Sequence, residues 1–143
     1  MKNDIAQYFF KMVTIDSESG EEKAFLKFIE CLFKEELDAD TQYDNHGNLI
    51  VKVSPKNSRR KEPILFCCHG DTVKPGKGIE PILRDGIIYS KSDTILGADD
   101  KAGIIEILFA LKEASQYPPV EILITRQEEV GLTGSSFRDQ NLI

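Results

Sequence analysis

The chain has 143 residues, of which 41% are hydrophobic and 29% are charged, and this composition is typical of one soluble globular domain. The formal net charge of −6 argues against nucleic acid, or an anionic membrane surface, as the main partner. No stretch reaches the roughly 18 apolar residues that a membrane span requires, so no membrane partner is expected.

The N-terminal part of the chain predicts two amphipathic helices, because apolar residues recur at helical spacing in two windows. A polar stretch, Thr14–Gly20, separates them. The segment Ser19-Gly-Glu-Glu22 has the spacing of a capping box and predicts the start of the second helix. The apolar positions are Ile5, Tyr8, Phe9 and Met12 in the first helix, and Ala24, Phe25, Phe28, Ile29 and Leu32 in the second.

Two hairpins are predicted after these helices. The first joins strands over 41–43 and 48–53 through the turn-rich tetrapeptide Asp44-Asn-His-Gly47. His46 lies in this turn, and a turn or surface histidine is the simplest interpretation of it. The second hairpin is predicted over Ile82–Tyr89, around Asp85-Gly86.

The centre of the predicted fold is a strand, a helix and a second strand. Pro63–Cys68 is a continuous apolar run of the kind that a buried central strand requires. Asp99–Ser115 is apolar on nearly all sides and predicts a helix packed against a sheet. Val120–Thr125 predicts another apolar strand, after Pro118-Pro119 has ended the helix. This order predicts an α/β fold with a mixed, largely parallel sheet flanked by helices.

The cysteines and the N-terminus indicate the compartment. Cys31, Cys67 and Cys68 are odd in number, and adjacent cysteines are poorly placed to pair with each other, so reduced thiols are expected. Residues 1–10 contain no long apolar stretch of the kind found in a signal peptide. Both features favour the cytoplasm.

Side chains that could bind a metal stand at the boundaries of the apolar elements. His69 and Asp71 follow one strand, Asp99 opens the helix, and Glu128-Glu129 follows the last strand. Taken alone, each of these groups has a simpler explanation. His69-Gly-Asp71 is a common tripeptide, Asp99 could face the positive end of a helix dipole, and Glu128-Glu129 could lie in a solvated acidic loop. Together they predict one site, because neighbouring parallel strands bring their ends to a common edge. Imidazole and carboxylate ligands suit zinc, manganese or cobalt.

Three motifs in this order resemble the M20 family of zinc metallopeptidases, and most of all its peptidase T-like branch. The motifs are Cys-His69-Gly-Asp-Thr-Val73, Gly97-Ala-Asp-Asp-Lys-Ala-Gly103 and Glu128-Glu-Val-Gly-Leu-Thr-Gly134. The resemblance implies a zinc-peptidase or phosphorylase-hydrolase-like catalytic domain. Its activity would be release of the N-terminal residue from short peptides by a two-zinc centre, with manganese or cobalt as alternative metals. A homodimer is implied for the complete enzyme.

The resemblance also assigns roles to residues of this chain. His69 would bind one metal, Glu129 would bind the second, and Asp99 would bridge the two. Glu128 would be the general base, and Asp71 would orient the ring of His69. The peptide bond between Asp99 and Asp100 would be cis.

The sequence departs from the M20 pattern at its end. Residues 1–143 match the N-terminal portion of the catalytic domain, and a further Asp ligand, a late His ligand and a lid or dimerisation domain have no counterpart. Each zinc then has two protein side chains, whereas catalytic zinc usually has about three. This chain alone is therefore expected to bind metal weakly and to hydrolyse little or nothing.

Several alternatives stay open at this point. Another M20 activity is one, namely that of a dipeptidase, a carboxypeptidase or an N-acyl amino-acid deacylase. A non-catalytic remnant that serves as an interaction module is a second. A third is a chain completed by a separate subunit, whose docking edge would expose apolar residues and favour association.

Overall fold

The computed structural model describes residues 2–142, with side chains from residue 5 onward. Its elements in chain order are α1 (Lys2–Val13), α2 (Lys23–Leu37), β1 (Asp40–Tyr43), β2 (Leu49–Val53), β3 (Ile64–His69), β4 (Pro81–Arg84), β5 (Ile87–Ser90), α3 (Ala98–Glu113), β6 (Val120–Thr125) and α4 (Thr133–Ser136). The predicted helices and both predicted hairpins are present, and the last strand has the predicted bounds.

The main sheet has the strand order β1-β2-β6-β3. Strands β3 and β6 are parallel neighbours with α3 between them in the chain, as the strand-helix-strand order predicted. The other two pairings, β1 with β2 and β2 with β6, are antiparallel, and β4 with β5 forms a separate hairpin. The predicted α/β fold with a mixed sheet flanked by helices is confirmed, and its parallel part is the β3–β6 pair.

One core unites the helices with the sheet. Helix α2 contacts β1 and β2, and α3 contacts α1, α2 and β3. The largest buried apolar side chains are those of Met12, Phe25, Leu26, Ile29, Phe33, Leu49, Ile50, Ile104, Leu108, Ile122 and Ile124.

The predicted capping box at the start of α2 is wrong. The residue before α2 is Glu22, and Ser19 donates to Asp71 instead of capping the helix.

Strand β3 differs from its prediction as a buried central strand. Among the described residues it pairs with β6 alone, so it is an edge of the sheet. Ile64, Leu65 and Phe66 are exposed, and only Cys68 and His69 at the carboxyl end of the strand are buried. An apolar run shows that a strand can be buried, but neighbouring elements decide whether it is.

The structure can be compared with the expectations for the thiols and for membrane spans. Cys31, Cys67 and Cys68 all have free thiols. Across residues 2–142, no helix combines the length and the apolar character needed to cross a membrane.

Candidate functional site

The site lies where the parallel strands β3 and β6 end together. His69, the last residue of β3, is the register partner of Thr125, the last residue of β6. The Gly70 N–H donates to the Thr125 carbonyl at 2.9 Å, which continues the pairing by one step. The residues that follow both strands therefore emerge at one edge of the sheet, where open α/β sheets bind ligands.

His69 occupies the centre of this edge. Its Nδ1 lies 2.9 Å from the backbone oxygen of Asp71 and 3.6 Å from Oδ1 of the same residue. Its Nε2 lies 3.0 Å from Asp99 Oδ1 and 3.9 Å from Glu128 Oε2. Burial opposes protonation of the ring, but hydrogen bonds to Asp71 and Asp99 outweigh it and raise the pKa of His69 to about 9. In the neutral ring, Nδ1–H would donate to Asp71 and leave Nε2 free to bind a cation.

Asp71 connects the two strand ends through one buried carboxylate. Its side chain is 0% exposed and accepts hydrogen bonds from Ser19 Oγ at 2.6 Å, Glu128 N–H at 2.9 Å and Glu129 N–H at 3.2 Å. Burial alone would raise its pKa, but the contacts from His69, Ser19 and the two N–H groups lower the pKa of Asp71 to about 2. All of these partners favour a charged carboxylate that keeps its position.

Asp99 reaches His69 from the start of α3. Gly97 precedes this helix with φ 70°, and Asp99 and Asp100 have non-helical backbone angles. The Asp99–Asp100 peptide bond is cis, as the resemblance implied. The Asp99 side chain is 85% exposed, so this carboxylate reaches His69 from the solvent side.

Lys101 holds the start of α3 in place, a role that the sequence pattern did not predict. Its buried Nζ donates to the carbonyl groups of Met12 and Ile15, at 3.1 and 2.8 Å. It also lies 4.4 Å from the centre of the Phe25 ring. Burial lowers the pKa of Lys101 to about 8. The sequence signal was its place within the motif Gly97–Gly103, ahead of the mostly apolar turns of the helix.

Glu128 and Glu129 complete the cluster. One donor atom from each of these residues and one from His69 all lie within 4.8 Å of one another. Burial raises the pKa of Glu129, and the nearby carboxylates of Glu128, Asp99 and Asp71 add to this effect while His69 opposes it. One imidazole and several carboxylates crowded together form a donor set that fits a divalent cation.

His46 lies outside this cluster. Its ring stacks on that of Phe137, with 5.5 Å between the ring centres. The Gly47 N–H donates to the Asp44 carbonyl at 3.0 Å and closes the turn that contains the histidine. The structure therefore brings together His69, Asp71, Asp99, Glu128 and Glu129, and leaves His46 apart.

Comparison with known proteins identifies the family. The model of peptidase family M28 matches residues 48–140, a range that contains the whole cluster. The chain belongs to peptidase family M28. The peptidase predicted from the motifs is thereby confirmed. The M20 placement stays a prediction, because the matching model is that of a differently named family.

The relatives of this M28 chain include peptidase T. The uncharacterized protein YqjE of Bacillus subtilis strain 168 is 34% identical, over 97% of this chain and 40% of that protein. Peptidase T of Listeria welshimeri is 25% identical, over 92% of this chain and 44% of that protein. The crystal structure of aminopeptidase PepT from Bacillus cereus ATCC 10987 superimposes with a TM-score of 0.92 and 34% identity, over 100% of this chain and 41% of that one. The chain thus spans less than half the length of these proteins.

Proposed function

We propose that this chain carries metal-binding and proton-transfer residues of a peptidase T-like metallopeptidase of the M20 type, which removes the N-terminal residue from short peptides. The observation that carries the proposal is the position of His69, whose Nε2 faces carboxylate oxygens of Asp99 and Glu128. The likeness to peptidase T and to aminopeptidase PepT supports the choice of substrate class.

The proposed ligands are His69, Asp99 and Glu129, and the proposed metal is zinc, with manganese or cobalt as alternatives. Such a cation would supply Lewis-acid polarisation of the scissile carbonyl group and of a water molecule. His69 would bind through Nε2, because Nδ1 is engaged by Asp71. Asp71 would fix the direction of the ring without binding the cation, since its own oxygens are buried and already accept other hydrogen bonds.

Glu128 is the proposed general base. Its Oε2 lies 3.9 Å from His69 Nε2, so the carboxylate borders the cluster. From there it would take a proton from the attacking water and return one to the leaving amine. The two adjacent glutamates would thus have different roles, Glu129 as a metal ligand and Glu128 as the group that transfers protons.

Zinc titration by calorimetry tests the metal site. We expect weak zinc binding by the purified 143-residue chain, and a fall in affinity of at least about tenfold in His69→Ala. Asp99→Ala should also bind zinc less tightly than the unmodified chain. The matched control is His46→Ala, because the chain has 2 histidines and this one lies outside the cluster. Equal losses in the two histidine variants, or none in His69→Ala, would contradict the proposal.

The isosteric pair Glu128→Gln and Glu129→Gln separates the roles of the two glutamates. If Glu129 is a ligand and Glu128 a base, only Glu129→Gln should weaken zinc binding in the same titration. Hydrolysis of a tripeptide by the whole enzyme should be lost in Glu128→Gln, because an amide cannot take up the proton. Weaker zinc binding in Glu128→Gln than in Glu129→Gln would exchange the two assignments.

A further inference from the structure

The main chain that carries both glutamates is held by buried side chains at four consecutive residues. The acceptors belong to three residues from different parts of the chain, Asn48, Glu22 and Asp71, and all three are 0% exposed. The contacts are Arg126 N–H to Asn48 Oδ1 at 3.0 Å, Gln127 N–H to Glu22 Oε1 at 3.1 Å, Glu128 N–H to Asp71 Oδ1 at 2.9 Å and Glu129 N–H to Asp71 Oδ2 at 3.2 Å.

Glu22 makes the most extensive contacts in this set. Its Oε2 accepts from Nε and Nη2 of Arg126, at 3.1 and 3.0 Å. Its Oε1 accepts from the N–H groups of Gly20 and Gln127, at 2.7 and 3.1 Å. One buried carboxylate therefore holds the side chain of one residue and the backbone of the next, and hydrogen bonds to a charged group are the stronger ones.

The backbone at Gln127 needs such support. Its φ of 54° lies in the left-handed region, which residues other than glycine seldom adopt. Conformations of this kind persist where surrounding contacts determine them. At Gln127 the contact to the N–H comes from Glu22, and the next two residues are Glu128 and Glu129, whose N–H groups point to Asp71.

We infer that Glu22 is a positioning residue for the Glu128–Glu129 pair. It fixes the turn at Gln127, so that both carboxylates stand beside His69 before any ligand arrives. The inference rests on the proposed function, because it assigns Glu22 to the same site. Glu22 itself acts through the main chain and is not one of the clustered donors. A site whose supporting contacts are fixed in advance binds more tightly than one that must be ordered on binding.

The test measures zinc affinity and amide hydrogen exchange in Glu22→Ala and Glu22→Gln. Zinc affinity should fall by at least about tenfold in Glu22→Ala, the range typical of supporting contacts around a metal site. The loss should be smaller in Glu22→Gln, because the amide oxygen can still accept from the Gln127 N–H. Exchange at the Gln127 amide should accelerate in the same order.

The matched control is Glu30→Ala. Glu30 is a similarly buried carboxylate with several hydrogen bonds, but its partners Lys27, Lys34 and Tyr43 lie on α2 and β1. This variant should unfold more easily than the unmodified chain and bind zinc as tightly. Equal zinc affinity in folded Glu22→Ala, or an equal loss in Glu30→Ala, would overturn the inference.

Two further outcomes keep the test decisive. If Glu22→Ala does not fold, Glu22→Gln is the variant that tests the inference. Unchanged zinc affinity and unchanged Gln127 exchange in that variant would overturn the inference. If zinc binding is equal in the unmodified chain and in His69→Ala, the proposed function fails and the inference fails with it. If the unmodified chain binds zinc too weakly to titrate, exchange at the Gln127 amide decides, and unchanged exchange in Glu22→Gln would overturn the inference. If His69→Ala loses zinc and the Glu22 variants do not, only the role of Glu22 is wrong.

Discussion

Asp71 shows how one buried side chain can set the geometry of several reactive groups. Its oxygens contact the His69 ring on one strand and the N–H groups of Glu128 and Glu129 after the other. Because a buried carboxylate is costly to leave without partners, these contacts stabilise one another. At the scale of single residues, the geometry of the cluster therefore depends on a buried group that is not itself one of the clustered donors.

Gly134 lies in close contact with the backbone of Arg126 and the side chain of Asn48. A Cβ atom at this position would overlap the Arg126 backbone oxygen and lie 2.6 Å from Asn48 Oδ1. We expect Gly134→Ala to lower the free energy of unfolding by about 1–3 kcal/mol, because the backbone of Arg126 cannot move without breaking its bond to Asn48. Urea unfolding followed by circular dichroism would measure this.

The control for Gly134→Ala is Ser136→Ala in the same short helix, where the side chain is exposed. It should leave the urea midpoint nearly unchanged. A midpoint for Gly134→Ala that matches the control would show that the backbone at Arg126 has room to adjust.

At the scale of elements, Glu30 links helix α2 to strand β1. Its carboxylate accepts from Lys27 and Lys34 on the helix, at 2.8 and 2.7 Å, and from the Tyr43 hydroxyl on the strand, at 3.1 Å. The hydrogen bonds from the two lysines outweigh the effect of burial and lower the pKa of Glu30 to about 2. The attachment of α2 to the edge of the sheet therefore depends on an ionised carboxylate.

The lowered pKa of Glu30 predicts a pH dependence of stability. The contribution of the charged group is present above its unfolded pKa, near 4.5, and is lost as pH falls toward the folded value of about 2. Since both lysines are largely exposed, we expect on the order of 1 kcal/mol, less than the pKa shift alone implies. Urea unfolding of Glu30→Gln and of the unmodified chain should differ by this amount near neutral pH and converge in acid.

The exposed Glu35 on the same helix provides the control for Glu30→Gln. Glu35→Gln should follow the unmodified chain at every pH. A difference between Glu30→Gln and the unmodified chain that persists undiminished into acid would mean that the amide disturbs packing, and that the charge is not the cause.

At the scale of the whole molecule, the sheet has an apolar open edge. Strand β3 pairs on one side only within residues 2–142, and Ile64, Leu65 and Phe66 on it are exposed. Such an edge offers unpaired backbone groups beside apolar side chains and favours pairing with another chain. The alternative of completion by a separate subunit would use a surface of this kind.

We therefore expect the isolated chain to self-associate at high micromolar concentration, and Leu65→Lys to shift it toward monomer, because natural edge strands carry lysine for this purpose. Sedimentation velocity would measure the effect. Leu83→Lys is the matched control, since Leu83 is a similarly exposed leucine, 57% against 51%, on the separate β4–β5 hairpin. Monomer at all concentrations would contradict the prediction, and a shift with Leu83→Lys alone would move the contact to the hairpin.

The sequence by itself determined the elements and the chemical groups of the site. Strand β6 over Val120–Thr125 and the hairpin around Asp85-Gly86 followed from local patterns, since hydrophobic periodicity and turn residues act over a few positions. The three motifs named His69, Asp99 and Glu128-Glu129 as candidates. The parallel pairing of β3 with β6 explains why His69 and the two glutamates meet, and Asp99 reaches them from the start of α3.

Only the tertiary structure decided which residues support that site and which surfaces are open. Glu22 contacts Gln127 across 105 positions of sequence, and nothing in the local pattern distinguished its carboxylate from that of a helix start. The same is true of Lys101 beneath α1, and of β3, whose apolar run is buried only where another element covers it. Burial and hydrogen-bond partners are set by elements far apart in the chain, so a local pattern predicts a structure but not its neighbours.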